Sequence, residues 1–530
     1  MQALQRLRSD LFQASREGPQ LAAWWENVWL WLGLAVFSTL PFLLSPLPPM
    51  ADMFSHIARY HVMTDGGRSE VLQSYYSFHW TLIGNLGHDL LVYVLAPVMG
   101  VKNAAFLTVS LVPPLTVLGI RQLSMAVHGR VHPGALVALP FVYSFPFLYG
   151  FINYSIGIMG CLWSLALWCK WRNGLNPFRI GVLVVIGSLL WLIHMAAWAV
   201  TVVAIGSIEL AHGLHAHGWR PFRVIWQAFF RTLPIASIPV LLTLFWRSGV
   251  AALPSTYTLL KTLELKVYWI AFIIRDQSML LDLGTLVLVG LATLWLLYKR
   301  NRIDPGLTIA AIIMLVLFWV LPLTVFNSYF ADLRLLGPIA IFVLVAFDSN
   351  RLSPRARNAL AALALCVFAV RMGMTTYGWV DRGYALKDDL RAMDHIRPGA
   401  RIAALVPDRM FESWNNSGLS HLPSMAIVDR NAFTNTEWEY PGSQLMRPIY
   451  NTGHDFNNNA SAMLKMRAHR QGRTVEDFFD KLPRDRFDYV WLFKTDVPPR
   501  QADGLQLKFR NRESVLYAIV PKAGAVTPRR

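Results

Sequence analysis

The chain has 530 residues, of which 54% are hydrophobic and 15% charged, with 20 Trp and 30 Phe; that is too apolar for one soluble core under a wetted surface. Its formal net charge is +17, but the Lys and Arg gather at the ends of apolar runs, the pattern that orients membrane proteins, which argues against nucleic acid as a partner. Cys161, Cys169 and Cys366 all lie inside apolar runs, so neither a disulfide framework nor a Cys-based metal site is expected.

The N-terminus, "MQALQRLRSDLFQASREGPQLAAWWENVW", is an amphipathic tail without a small-residue cleavage site ahead of "VWLWLGLAVFSTLPFLL", and it reads as a signal anchor. A bilayer core takes about 20 apolar helical residues. Eleven runs of that kind fall at 24–45, 103–121, 132–150, 152–170, 179–195, 196–212, 224–246, 279–298, 306–326, 333–348 and 358–376. Alternating from a cytoplasmic N-terminus puts "RQLSMAVHGR", "KWRNGLNPFR", "HGWRPFR", "YKRNR" and "NRLSPRAR" on the cytoplasmic side, while "YGFINYS", "LIHMAAW" and "FNSYFADLR" carry almost no Lys or Arg. Counting "LIGNLGHDLLVYVLAPVMG" (82–100) as a twelfth span would send every basic loop outside, so this segment is expected to lie in the outer interface.

Eleven spans leave the C-terminus outside. The expected organisation is therefore a transmembrane module over 1–376, with a first outer loop at 46–101, and an extracytoplasmic α/β domain over 377–530. That domain has strand-like runs "RIAALVP", "MAIVDR", "FDYVWLF" and "SVLYAIV", helical pieces "ALKDDLRAMDHI" and "VEDFFDKL", and turn-rich or frayed "HDFNNNASAM" and "PKAGAVTPRR". The fold class is mainly α, a polytopic membrane protein with a C-terminal α/β domain. No internal repeat of the kind found in many transporters is evident.

The unusual polar residues collect on the outer side. Asp52, His56 and Arg59 in "PPMADMFSHIARYH" are spaced four and three residues apart, on one face of a helix. Asn153 and Tyr154 fall in the turn "GFINYSIG", His194 at the end of a span, Arg275 in "IIRDQS", and Asp332 and Arg334 in "NSYFADLR". Ionisable groups at membrane depth are costly unless they face a cavity or one another. Carboxylates beside several cations suit a phosphate-bearing substrate and acid–base chemistry.

Each group also has a plainer role. Asp52 could be the N-cap of its helix, Arg59 and Arg334 could reach for lipid phosphates, "RDQS" could be a solvated loop tip, and Asn153 and Tyr154 could satisfy a helical hairpin. His212, His215 and His217 in "HGLHAHGW" read as a solvated cytoplasmic loop. HExxH, Gly-rich phosphate-loop and CxxC motifs are missing.

With these features the chain resembles the type C glycosyltransferases, polytopic enzymes that use a polyprenyl-phosphate-linked sugar. The resemblance rests on the acid in "PPMADMFSHIARYH" at the start of the first outer loop, on the span count, on the outer turn "GFINYSIG", and on "PGARIAALVPD" and "FDYVWLF" in the C-terminal domain. It implies Asp52 as general base in a single displacement that inverts the anomeric carbon. His56, Arg59, Asn153, Tyr154, His194, Arg275, Asp332 and Arg334 would hold substrate or the departing phosphate. The adjacent Asp-Glu pair of the protein O-mannosyltransferase branch and a WWD-type signature are both lacking, which points away from those branches.

The expected donor is a lipid-linked sugar and the expected acceptor a hydroxyl of a glycan, glycolipid or protein. No clear metal-ligand set is evident, so a metal-independent member is expected, with a divalent cation as the alternative. Segments 82–100 and 247–278 are expected at the membrane surface, flanking a groove for the lipid tail. The expected setting is a bacterial inner membrane with the C-terminal domain in the periplasm. The alternatives are an O-antigen polymerase or ligase, and a transporter or flippase of lipid-linked or anionic substrates.

Overall fold

A computed structural model describes residues 23–245, 259–325, 328–407, 413–415, 417–438, 444–453, 456–464 and 472–520. The N-terminal tail to residue 22, the stretch 246–258 of the expected surface segment, part of "HDFNNNASAM" and the closing "PKAGAVTPRR" lie outside the described residues.

The membrane module is built from α1 (Val28–Phe37), α2 (Met53–Asp65), α3 (Gly87–Met99), α4 (Val101–Ser110), α5 (Val112–His128), α6 (Ile152–Trp171), α7 (Pro177–Ile193), α8 (Met195–His217), α9 (Pro221–Phe245), α10 (Leu259–Phe272), α11 (Met279–Tyr298), α12 (Pro305–Val320), α13 (Leu336–Ala346) and α14 (Pro354–Asp389). Among the described residues six helical stretches are long and apolar enough to cross a membrane: α4 with α5, then α6, α8, α9, α11, and α14 with its 3-10 extension.

The other five apolar runs are shorter or broken, and prolines explain two of them. The run at 132–150 contains Pro133, Pro140 and Pro146, each lacking an amide donor, and it folds as two five-residue helices around a 3-10 turn. Most of it is buried, so neighbouring protein rather than lipid faces the interrupted backbone. The first run breaks after α1 and restarts with Pro41. The segment at 82–100 becomes α3, 13 residues long, short of the roughly 20 that span a bilayer, with Val94 and Val98 exposed. The three histidines expected in a solvated loop instead lie on α8, which runs through His217.

Small residues let the helices approach closely. A Cβ on Gly187 of α7 would lie 2.2 Å from the backbone oxygen of Ile235 in α9, so only glycine fits that crossing. Apolar residues of α11 such as Leu280, Val287, Leu291 and Leu294 remain exposed, as a lipid-facing helix requires.

The two ends of the bundle differ in chemistry. One end gathers the basic segments: Arg130 pairs with Glu26 at 2.5 Å, Arg351 donates to the Arg300 carbonyl at 2.6 Å, and His128 Nε2 meets the Val345 carbonyl at 2.8 Å. Near it Arg172 and Arg231 converge on the fully buried Glu209 at 2.8 and 2.6 Å. The opposite end carries α2, α3 and the C-terminal domain.

The last apolar run continues past residue 376 as a rod, α14 ending at Asp389. Strand β1 (Tyr76–Phe78) belongs to the first outer loop; β2 (Arg401–Pro407), β3 (Phe433–Thr434), β4 (Met446–Pro448), β5 (Met463–Leu464), β6 (Tyr489–Phe493), β7 (Leu505–Arg510) and β8 (Ser514–Ile519) follow in the C-terminal region. Their main sheet has the order β7-β8-β6-β2-β3 with β5 also on β2. β2 and β6 are parallel, Ile402 opposite Tyr489, and wholly or largely buried, which fits their continuous apolar runs. The expected strand "MAIVDR" is instead the short helix α15 (Met425–Arg430).

Strand pairing and helix packing bind this region to the first outer loop. β1 pairs antiparallel with β4, Tyr76 opposite Pro448, and α15 packs against α2.

Candidate active site

The site starts at the turn "SPLPPM". Its prolines cannot continue a helix, and the chain folds back so that the Asp52 amide donates to the Tyr149 carbonyl at 3.1 Å. Gly150 follows with φ +112, and a Cβ there would lie 2.9 Å from Asp52 Cβ. The turn "YGFINYS" and the start of α2 thus touch backbone to backbone.

Asp52 occupies the N-cap position of α2 but its side chain makes no capping hydrogen bond. It is buried at 6% exposure, and among the described residues no hydrogen-bond donor reaches its carboxylate. Burial raises its pKa well above the ordinary carboxylate range, with Arg334 and then Arg59 pulling it back. A buried carboxylate with cations nearby and an unused lone pair is equipped to take a proton.

Arg334 is paired with no carboxylate among the described residues. Its Nη1 donates to His194 Nε2 at 2.8 Å, its Nε is buried with no partner among the described residues, and its Cζ lies 4.5 Å from the Phe151 ring centroid and 5.6 Å from that of Tyr154. Tyr154 fixes the same segment by donating its hydroxyl to the Arg334 carbonyl. His194 is also the N-cap residue of α8, its Nδ1 lying 3.2 Å from the Ala196 amide; a neutral imidazole accepts at one nitrogen, so it serves Arg334 or this amide but not both at once.

Arg59 is bound differently. Its guanidinium forks onto Asp89 of α3, Nε to Oδ1 at 2.9 Å and Nη2 to Oδ2 at 3.1 Å, and both side chains are buried. Asn153 accepts from the His88 amide at 2.5 Å and donates to the Asn85 carbonyl at 2.9 Å, holding the start of α3. His88 bridges Tyr60 at 2.7 Å and Thr108 at 2.6 Å, and burial pushes its pKa down to about 3. Arg59 and Asn153 therefore brace the wall on which Asp52 sits.

Two expected members stand apart. Arg275 donates to the Trp414 and Ser413 carbonyls at 2.7 and 2.8 Å and lies against Phe272 and Phe145. It clamps a C-terminal-domain segment onto the membrane module, beside a narrow cleft lined by Pro49, Tyr149, Trp379 and Trp414. Its neighbour Asp276, whose pKa burial pushes up to about 6, accepts from Thr375 and Gln277 rather than projecting as a loop tip. Asp332 accepts from Lys266 Nζ at 2.8 Å, and Lys266 also donates to the Phe318 and Leu321 carbonyls. A buried Lys amid the apolar run "LELKVYW" was the available sign of that pair.

His56 does not reach the Asp52 carboxylate. Its Nε2 meets the Gly150 carbonyl at 3.2 Å and its ring lies 6.0 Å from that of Trp438 in the C-terminal domain. Next to Trp438 is Glu437, fully buried, whose Oε2 accepts from Ser55 of α2 at 2.8 Å. Nothing in "NTEWEY" marks this acid locally, because only the folded chain brings it to α2. Among the described residues no group of three or more His, Cys, Asp or Glu side chains is placed to share a metal ion.

No protein-family model matches the sequence, and no curated protein matches it. The chain is similar to two crystal structures of ArnT from Cupriavidus metallidurans. The apo form is 12% identical with a TM-score of 0.48, covering 93% of this chain and 98% of that one. The form bound to undecaprenyl phosphate is 11% identical with a TM-score of 0.49, covering 94% and 99%.

Proposed function

We propose that the chain is an integral membrane glycosyltransferase of the type C kind, moving a sugar from a polyprenyl-phosphate donor to an acceptor hydroxyl. The observation that carries this reading is Asp52: a buried carboxylate that no hydrogen-bond donor reaches among the described residues, at a membrane-module surface where, among the same residues, no carboxylate lies within salt-bridge range of the Arg334 guanidinium.

In the proposed reaction the acceptor oxygen attacks the anomeric carbon while Asp52 accepts its proton. The bond from that carbon to the phosphate oxygen breaks, and the polyprenyl phosphate leaves with the electron pair. The leaving group is already anionic, so it needs a cation more than a proton donor. Arg334, steadied by His194 and Tyr154, supplies it; Arg59 and Asn153 hold the wall, Arg275 the roof, and Asp332 with Lys266 the segment leading to Arg334. Single displacement gives inversion.

The reading includes a metal-independent reaction, a cytoplasmic N-terminus in a bacterial inner membrane, and a periplasmic domain over 377–530. The acceptor is a cell-envelope glycan, glycolipid or protein. Purified protein offered radiolabelled polyprenyl-phosphate sugars and a membrane glycolipid extract tests it. Wild type should transfer label with EDTA present, and Asp52→Asn should lose about 100- to 10,000-fold in kcat. Transfer that survives Asp52→Asn sinks the catalytic assignment. A C-terminal reporter active only in the cytoplasm would overturn the orientation.

A further inference from the structure

Among the described residues three buried polar atoms at the junction of α2 and the C-terminal domain, His56 Nδ1, His421 Nδ1 and Glu437 Oε1, have no partner in hydrogen-bond geometry, although the Ser424 hydroxyl lies by Glu437 and the Thr436 backbone by His421. Both imidazoles flank one aromatic ring. The Trp438 ring centroid lies 4.2 Å from that of His421 and 6.0 Å from that of His56, and Trp438 directly follows Glu437. Glu437 is completely buried and His421 is 3% exposed. A buried donor or acceptor left unmade costs its full desolvation, so three together call for an explanation.

The surrounding contacts are otherwise tightly made. Glu437 Oε2 takes the Ser55 hydroxyl at 2.8 Å, and the Glu437 carbonyl takes the Asn459 amide at 2.8 Å. Gln444 donates to the Trp438 carbonyl at 2.5 Å and accepts from Arg59 at 3.4 Å. The unpartnered atoms are thus held in place by partners on their other sides, as in a site organised before its ligand arrives.

The chemistry of the ring of atoms favours a neutral, hydroxylated ligand. Burial lowers the pKa of His56 and brings that of His421 down to about 3, so both imidazoles are uncharged at neutral pH. The nearest guanidinium, Arg59, is already neutralised by Asp89. Among the described residues a phosphate would find no free cation here, whereas hydroxyls can both donate and accept, and an indole face covers the apolar side of a sugar ring. Ser55 and His56 sit three and four residues after Asp52 on α2, next to the proposed base.

We propose that His56, His421, Glu437 and Trp438 form a subsite for a hydroxyl-bearing ring of a saccharide acceptor, so that the C-terminal domain completes the site that Asp52 begins. This rests on the transferase reading for its place in the reaction, but binding of saccharide can be measured without transfer.

The test uses the full-length protein in detergent and a tritium-labelled oligosaccharide released from a membrane glycolipid extract. Equilibrium binding is compared for wild type, Gly181→Ala, Glu437→Gln, His421→Gln and Trp438→Leu, with thermal unfolding as a check on folding. Wild type and Gly181→Ala, whose added methyl meets nothing within 4 Å, should bind alike, and the three subsite variants should bind at least tenfold more weakly. Glu437→Gln is nearly isosteric and keeps a partner for Ser55, so it decides the matter if Trp438→Leu does not fold. In transfer assays the same variants should raise the acceptor KM and leave the donor KM within twofold.

Absence of oligosaccharide binding to wild type, or binding unaffected by all three substitutions, overturns the subsite and leaves ordered water as the partner of these atoms. If no donor supports transfer but the oligosaccharide binds and the variants lose it, the transferase reading fails and the subsite stands.

Discussion

Ser55 donates a hydrogen bond to Glu437 across 382 residues of sequence. The carboxyl that receives it has its pKa pushed by burial from the ordinary 4.5 to about 7, against the pull of Ser424, Ser55 and Arg59. The folded state therefore holds this proton more tightly than the unfolded chain. The stabilisation is complete below about pH 4.5 and is lost as pH rises through 7, a swing on the order of 3 kcal/mol. Thermal unfolding from pH 4.5 to 8 should show wild type losing stability more steeply than Glu437→Gln. Asp276, raised to about 6, adds a slope of the same sign to both proteins. Parallel curves for the two would rule out a protonated Glu437 at the junction.

The Arg59–Asp89 fork is buried on both sides. Removing one partner strands a charge, which costs about 3–5 kcal/mol, whereas replacing both by apolar groups is often close to neutral. Asp89→Ala should therefore unfold at a markedly lower temperature, and Arg59→Met with Asp89→Leu should regain most of the loss. A double variant no better than Asp89→Ala would mean that the pair does more than neutralise itself.

Much of this architecture was legible in the sequence because lipid imposes a simple rule on composition. Every one of the eleven apolar runs contains a helix, and two of the basic segments meet where Arg351 donates to the Arg300 carbonyl. What composition does not report is continuity: Pro133, Pro140 and Pro146 break a run whose hydropathy alone suggests one span. At the site, Asp52 was visible as an acid at the exit of an apolar run. Its neighbours were harder to assign. Arg59 and Arg334 look alike in sequence, yet one is neutralised by Asp89 and the other lies against aromatic rings with His194. Glu437 and Lys266 were missed for the opposite reasons, one having no local mark and the other being hidden in an apolar helix that packs on Asp332.

Gly150 has a left-handed backbone, and a methyl group there would lie 2.9 Å from Asp52 Cβ and 3.0 Å from Asp52 N. Gly150→Ala should cost about 1–3 kcal/mol in stability from strain alone. It should also displace Asp52 and so lower transfer by more than tenfold. Gly181→Ala is the control, since nothing lies within 4 Å of its Cβ and it sits within α7, where alanine is favoured by about 0.5–1 kcal/mol. Equal activity in the two variants would show that the contact between Gly150 and Asp52 does not set the position of the base.

A general base must be ionised, so transfer should fall on acidification, with a midpoint above the value of about 4 ordinary for an aspartate. Burial sets that direction, and Arg334 is the largest of the charges opposing it. Withdrawing the Arg334 charge therefore raises the Asp52 pKa further, and Arg334→Met should move the acidic limb of the pH–rate profile to higher pH. Arg334→Lys retains the charge, so its limb should stay closer to that of wild type, while the lost contacts with His194, Phe151 and Tyr154 raise the donor KM. A limb that stays in place in Arg334→Met would break the electrostatic link between the two residues. A wild-type profile flat down to pH 4 would remove Asp52 as the base.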